Sequence, residues 1–150
     1  MCSSSKQPPL ISAMMNPDVY NHPVDNLQLI ETHISWVILT GQYAYKLKKP
    51  VNLGFLDFTT LEKRRFYCEE ELRLNRRLAP NIYLDLVFIS GSPEKPRLNE
   101  KAEAFEFAVK MKQFPQAAQL DRMLSRGLIQ SEHIDAMACF IADFHHNASV

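Results

Sequence analysis

Glycine is scarce in this 150-residue chain: there are four, at positions 41, 54, 91 and 127, and each stands alone. A loop that cradles phosphate with clustered backbone amides needs glycines close together, so the sequence encodes no loop of that kind. Cysteine is as rare. Cys2, Cys68 and Cys139 are an odd, scattered set, which excludes a disulfide scaffold and a CxxC zinc site. Free thiols suit a reducing compartment, so a cytoplasmic location is expected. Neither sign of charge is in excess, with 17 basic and 17 acidic residues, and a net field that would attract nucleic acid or an anionic membrane is missing. No run of about 18 apolar residues occurs, and no apolar stretch follows the lysine of "MCSSSKQPP". Neither a membrane span nor a secretion signal is expected.

What is present is an ordinary core-forming composition, 46% hydrophobic and 23% charged, sufficient for one folded unit divisible into two lobes. Residues 1–9, rich in Ser, Lys and Pro, read as a disordered tail. "LISAMMNPDVYNHP" predicts a short helix ended by its prolines. "LIETHISWVILTGQYAYKLKK" reads as two strand-like runs divided at Thr40-Gly41-Gln42, a β-hairpin. A capping box of Thr59 and Glu62 then predicts a helix over about 60–79, ended by Pro80. "NIYLDLVFIS" and "EAFEFAVKMKQF" are strand-like, with "GSPEKPRLNEK" a loop between them. From there the pattern is helical: "QAAQLDRMLSRG", closed by Gly127, and "SEHIDAMACFIADFHH", opened by Ser131. This order predicts an α+β fold, an antiparallel sheet with a helix packed on it, leading into a helical region.

The stretch "YAYKLKKPV", residues 43–51, raises the chemical question. Period-two alternation sets Tyr43, Tyr45 and Leu47 on one face and Ala44, Lys46 and Lys48 on the other. Ammonium groups sharing one strand face are either solvated or aimed at an anion. On the following helix, side chains at about 100° intervals group Tyr67, Leu74 and Leu78 into a stripe with Glu70 and Glu71 on its margins. A carboxylate at the border of a buried stripe needs a partner, and the strand lysines are at hand. The plainer reading of "KRR…EEE…RR" is a solvated face laced by i,i+4 pairs. The sharper one is a lysine that grips nucleotide phosphates while a helix glutamate holds it in place.

The run from "LIETHISWVILTGQYAYKLKKPVNLGFLDFTTLEKRRFYCEEELRLNRRLAPNIYL" to "AVKMKQFPQAAQLDRML" resembles the aminoglycoside-phosphotransferase-like domain of bacterial bifunctional phosphotransferase/ATP-binding proteins, from about Leu10 to His146. The resemblance implies a protein-kinase-like fold: a nucleotide-binding lobe over 10–114, and the first helices of a helical lobe over 115–150. It implies ATP and magnesium as cofactors and a hydroxyl on a small molecule as phosphoryl acceptor. Lys46 takes the place of the phosphate-gripping lysine, with Lys48 as the fallback. Glu71 or Glu70 would be its helix partner, Glu71 slightly ahead. "ETHIS" occupies the place of the glycine-rich loop, which brings in His33 and Ser35 as phosphate-facing groups. "KMKQFPQ" resembles the hinge, so backbone groups of Lys112, Gln113 and Phe114 would bind adenine with Met111 behind the base; ordinary strand packing accounts equally well for Met111.

No "HGD" or "HRD" type loop is present, so no catalytic residue is assigned and the magnesium ligands of such enzymes are not in this sequence. By resemblance "DFHHNASV" is the end of the helix before that loop, so the chain reads as a truncated, inactive portion whose exposed apolar surface would favour self-association. "LDF" at 56–58 is better explained by the start of a helix than by a magnesium site. His145 and His146, about 100° apart on a helix, cannot readily share one metal ion. Two other classes remain: a non-catalytic nucleotide- or protein-binding module, and nucleic-acid binding through "KLKK", "KRR" and "NRR" with Tyr43 and Tyr45 as stacking platforms.

Overall fold

The computed structural model describes residues 7–101 and 103–148, in two compact units that meet in sequence at Gln113 and Phe114. Cys2 and residues 1–6 of the expected tail lie outside the described residues. Pro9 already belongs to a helix, α1 (Pro9–Met14), which is followed by a 3-10 turn, Pro17–Val19. The fold is α+β.

The first unit is built on a six-stranded, wholly antiparallel sheet: β1 (Gln28–Glu31), β2 (Ser35–Leu39), β3 (Tyr43–Lys48), β4 (Tyr83–Ser92), β5 (Lys95–Leu98) and β6 (Glu106–Lys112), in the order β1-β2-β3-β6-β4-β5. The run expected as the first strand is two strands. A turn at Thr32–Ser35 separates them without glycine, because Thr32 supplies the bonds itself: its N–H donates to Ser35 O (2.9 Å) and its Oγ1 accepts from Ser35 N (3.0 Å). At the β2–β3 turn glycine is required. Gly41 has φ +91°, and a Cβ there would lie 2.7 Å from Asp25 O. The expected loop "GSPEKPRLNEK" contains β5, which pairs with β4. Pro96 disguised it, and is tolerated because β5 is an edge strand.

Alternation along the strands gives the sheet two buried faces. On one, Ile38, Tyr45, Leu47, Val87, Ile89 and Ala108 pack with Ile11 and Met14 of α1 and with Tyr20. On the other, Phe107 and Val109 pack with Cys68 and Leu72 of α2 (Leu61–Asn75).

Helix α2 departs from expectation in start, end and phase. Its N-cap is Thr60, whose hydroxyl accepts from Lys63 N (3.3 Å), while Thr59 bonds Asp57 instead. The α-helix stops at Asn75 and a turn carries the chain on to Pro80. Leu74 and Leu78 are exposed, so the stripe of Tyr67, Leu74 and Leu78 is not the buried one. The buried line runs through Cys68 and Leu72, with Leu61 partly buried beside it. Cys68 acts there as a small hydrophobe.

The second unit holds a 3-10 turn (Gln116–Ala118), α3 (Leu120–Ser125) and α4 (Ser131–Asn147). Gly127, at φ +64°, ends α3, with Gly127 N donating to Leu124 O (3.0 Å) and Leu128 N to Met123 O (2.9 Å). Gln130 rather than Ser131 occupies the cap of α4, where the Gln130 N–H donates to His133 Nδ1 (3.0 Å). Ile134, Met137, Phe140 and Ile141 of α4 are exposed.

Candidate functional site

The registers between strands place Ile30, Val37, Lys46 and Val109 in one row across the sheet, and Leu39, Ala44 and Met111 in the next. Opposed residues share a face, and Val109 marks it as the face that carries α2. Lys46 therefore rises from an otherwise apolar row, and Lys48, two residues on, faces the same way opposite Ser35.

Both ammonium groups meet one carboxylate. Lys46 Nζ lies 2.8 Å from Glu71 Oε1, and Lys48 Nζ 2.7 Å from Glu71 Oε2. Exposure separates the two lysines: the Lys46 side chain is 29% exposed, that of Lys48 6%, and Glu71 12%. The Lys48 ammonium also lies 4.9 Å from the centre of the Phe58 ring, a favourable place for a desolvated cation. Burial pushes the Glu71 carboxyl up, yet the hydrogen bonds and charges of Lys46 and Lys48 together outweigh that and hold it below its ordinary value. Tyr83 belongs to the same cluster of packed residues as α2. Its phenol is pushed up by burial first and then by the Glu71 carboxylate.

Helix α2 is anchored at a second point. Arg64 Nε donates to both oxygens of Glu106 on β6 (2.9 and 3.0 Å), and the same guanidinium donates to Phe58 O (3.1 Å). With side-chain exposures of 12% and 14%, this charge-assisted bond, one Nε–H shared between two oxygens, fixes the first turn of the helix to the sheet. Glu71 then arrives two turns later. Sequence reasoning passed over Arg64, although its spacing of four from Cys68 would have put it on the buried line.

Glu70 turns away and pairs with Arg73 (2.7 Å) on the outer surface of α2, and Arg65 pairs with Glu69, so the laced outer face exists beside the inner site. Ser35 is buried, and its Oγ has no hydrogen-bond partner among the described residues. His33 is exposed at the tip of the β1–β2 turn. Met111 is half-buried and packs with the α2 cluster. Two of the three hinge amides are already used: Lys112 N donates to Ile82 O (2.8 Å) and Gln113 N to Gln42 O (3.0 Å). Those two donors are therefore taken by the protein's own carbonyls. Phe114 begins the second unit.

Asp57 of "LDF" accepts from Thr59 N (2.9 Å) and Thr59 Oγ1 (2.6 Å) and pairs with Lys63, which is a turn leading into α2. Tyr45 is buried, with His22 Nε2 on its hydroxyl (3.0 Å), and the Lys110 ammonium lies over the Tyr43 ring at 3.9 Å. Tyr45 is thus not exposed for stacking, and one face of the Tyr43 ring is covered by the Lys110 ammonium. Among the described residues no group of three or more His, Cys, Asp or Glu side chains could hold a metal ion, and no helix is long and apolar enough to cross a membrane.

The chain is similar to uncharacterized proteins of Mycobacterium tuberculosis and Mycobacterium bovis, at 35% identity over 133 residues, 85% of this chain and 24% of theirs. It thus spans about a quarter of the length of these curated relatives. No family model matches the chain. No solved structure matches it.

Proposed function

We propose that the first unit is a nucleotide-binding lobe of protein-kinase-like architecture, serving an enzyme that transfers the γ-phosphoryl group of ATP to a hydroxyl of a small molecule. The observation that carries this reading is the ion pair from β3 to α2, Lys46 Nζ to Glu71 Oε1 at 2.8 Å, beside the apolar row of Ile30, Val37 and Val109. A strand lysine held by a helix glutamate is the arrangement that grips ATP phosphates in such enzymes. In this reading the partly exposed ammonium of Lys46 neutralises phosphate charge, Glu71 fixes its direction, and the half-buried Val37 and Met111 offer apolar surface to a base. Magnesium, which bridges phosphates in that chemistry, finds no group of three or more His, Cys, Asp or Glu ligands among the residues described.

Lys46→Ala in the 150-residue chain is expected to weaken ATP binding by roughly tenfold to a hundredfold, the worth of a charge-assisted hydrogen bond. Lys63→Ala removes an exposed lysine paired with Asp57 and is expected to change it little. Titration calorimetry on both folded variants is the test, and equal effects would remove the assignment.

A further inference from the structure

We propose that Lys48 is a positioning residue: by neutralising Glu71 from the buried side, it leaves the more exposed Lys46 with one uncompensated positive charge for a phosphate. The proposal rests on the nucleotide-binding reading above and adds to it a role for the second lysine.

The geometry separates the two lysines. Each takes a different oxygen of the same carboxylate, at 2.8 and 2.7 Å. Two ammonium groups against one carboxylate leave a net charge of +1. A single lysine paired with Glu71 would leave none, and the carboxylate, though farther from an approaching phosphate than the ammonium, would offset a large part of its attraction. Lys48 cannot meet the phosphate itself, since its side chain is 6% exposed. Its surroundings are Glu71, the Phe58 ring and, across the strand pair, Ser35. Lys46, at 29%, is the end of the cluster that an anion can reach. A buried charge is costly to keep unless something uses it, and the excess charge on Lys46 is that use.

Net charge at the cluster then dictates the order of affinities. Lys48→Met brings it to zero. Lys48→Met/Glu71→Gln restores +1 and keeps an amide oxygen to accept from Lys46 Nζ. Titration of ATP and of adenosine into the 150-residue chain and both variants is the test. Expected are a loss of about tenfold or more in ATP affinity for the single variant, adenosine affinity unchanged, and recovery of ATP affinity to within about threefold of wild type in the double variant. A structural role alone would weaken both ligands together and would not be rescued by a second substitution, so a parallel loss or an unrescued double variant overturns the proposal. If the single variant does not fold, the double variant and wild type decide by the same threefold criterion. A double variant that fails to fold also overturns it, because Lys48 would then be needed for more than its charge. Wild type that binds no ATP removes the underlying reading, whereas ATP binding untouched by Lys48→Met removes only the role of Lys48.

Discussion

Glu71 sits between two ammonium groups in a setting whose burial alone would raise its carboxyl, and its pH dependence follows. Its carboxyl is held below the ordinary value of 4.5 in the folded chain, so the native state binds that proton more weakly than the unfolded state does. The stabilisation is complete above the unfolded value and is lost as pH falls through the lower, folded one. Thermal midpoints measured from about pH 6 down to about pH 3 should therefore fall more steeply for wild type than for Glu71→Gln; parallel curves would contradict the pairing. Cys68 allows a second check at this scale. Burial pushes its thiol up to about 12, so native protein at about pH 8 should leave Cys68 unmodified by a thiol reagent, while exposed Cys139 reacts. Peptide mapping after alkylation distinguishes the two. Lys46 was legible in the sequence because period two on a strand is a one-dimensional pattern, whereas its glutamate was reached through a helical stripe whose leucines the structure leaves exposed. Choosing Glu71 over Glu70 was not legible: the choice depends on the phase of α2, which the sheet sets.

Phase is a matter of the whole element. Spacing alone grouped Tyr67, Leu74 and Leu78, whereas α2 buries Cys68 and Leu72 and leaves Leu74 at 47% exposure. What turns the helix is the polar anchorage on the same side, Arg64 to Glu106 and Glu71 to the two lysines, which a hydrophobicity count scores as outward-facing. Leu72→Ala is accordingly expected to cost about 2–5 kcal/mol of stability, and Leu74→Ala to stay within about 0.5 kcal/mol. Urea denaturation of the two variants checks this, and a larger effect at Leu74 would reverse the assigned face. The strands show the same division between local and distant causes. β3 and β6 announce themselves by alternation. β5 hides behind Pro96, which only an edge position permits, and that position depends on the strand order of the complete sheet.

At the scale of the molecule, both hydrophobic clusters lie within residues 10–111, so the first unit has its own interior on each face of its sheet. Helix α1 closes one face and α2 the other, and the candidate site uses only the face beneath α2. None of the described residues of the second unit, 114–148, is buried. Its longest helix, the 17 residues of α4, is near the length at which an isolated helix is marginal in water. The two units should therefore behave differently when separated. A fragment of residues 1–113 is expected to unfold cooperatively and to keep near-ultraviolet circular dichroism from Trp36 and its tyrosines, because every cluster those rings belong to is retained. A peptide of residues 114–150 is expected to show little helix at low concentration. Thermal unfolding of the fragment and far-ultraviolet spectra of the peptide measure both. If the fragment melted without a transition, the interior drawn on its two faces would be insufficient to fold it, and the Lys46–Glu71 pair would have no rigid sheet to stand on.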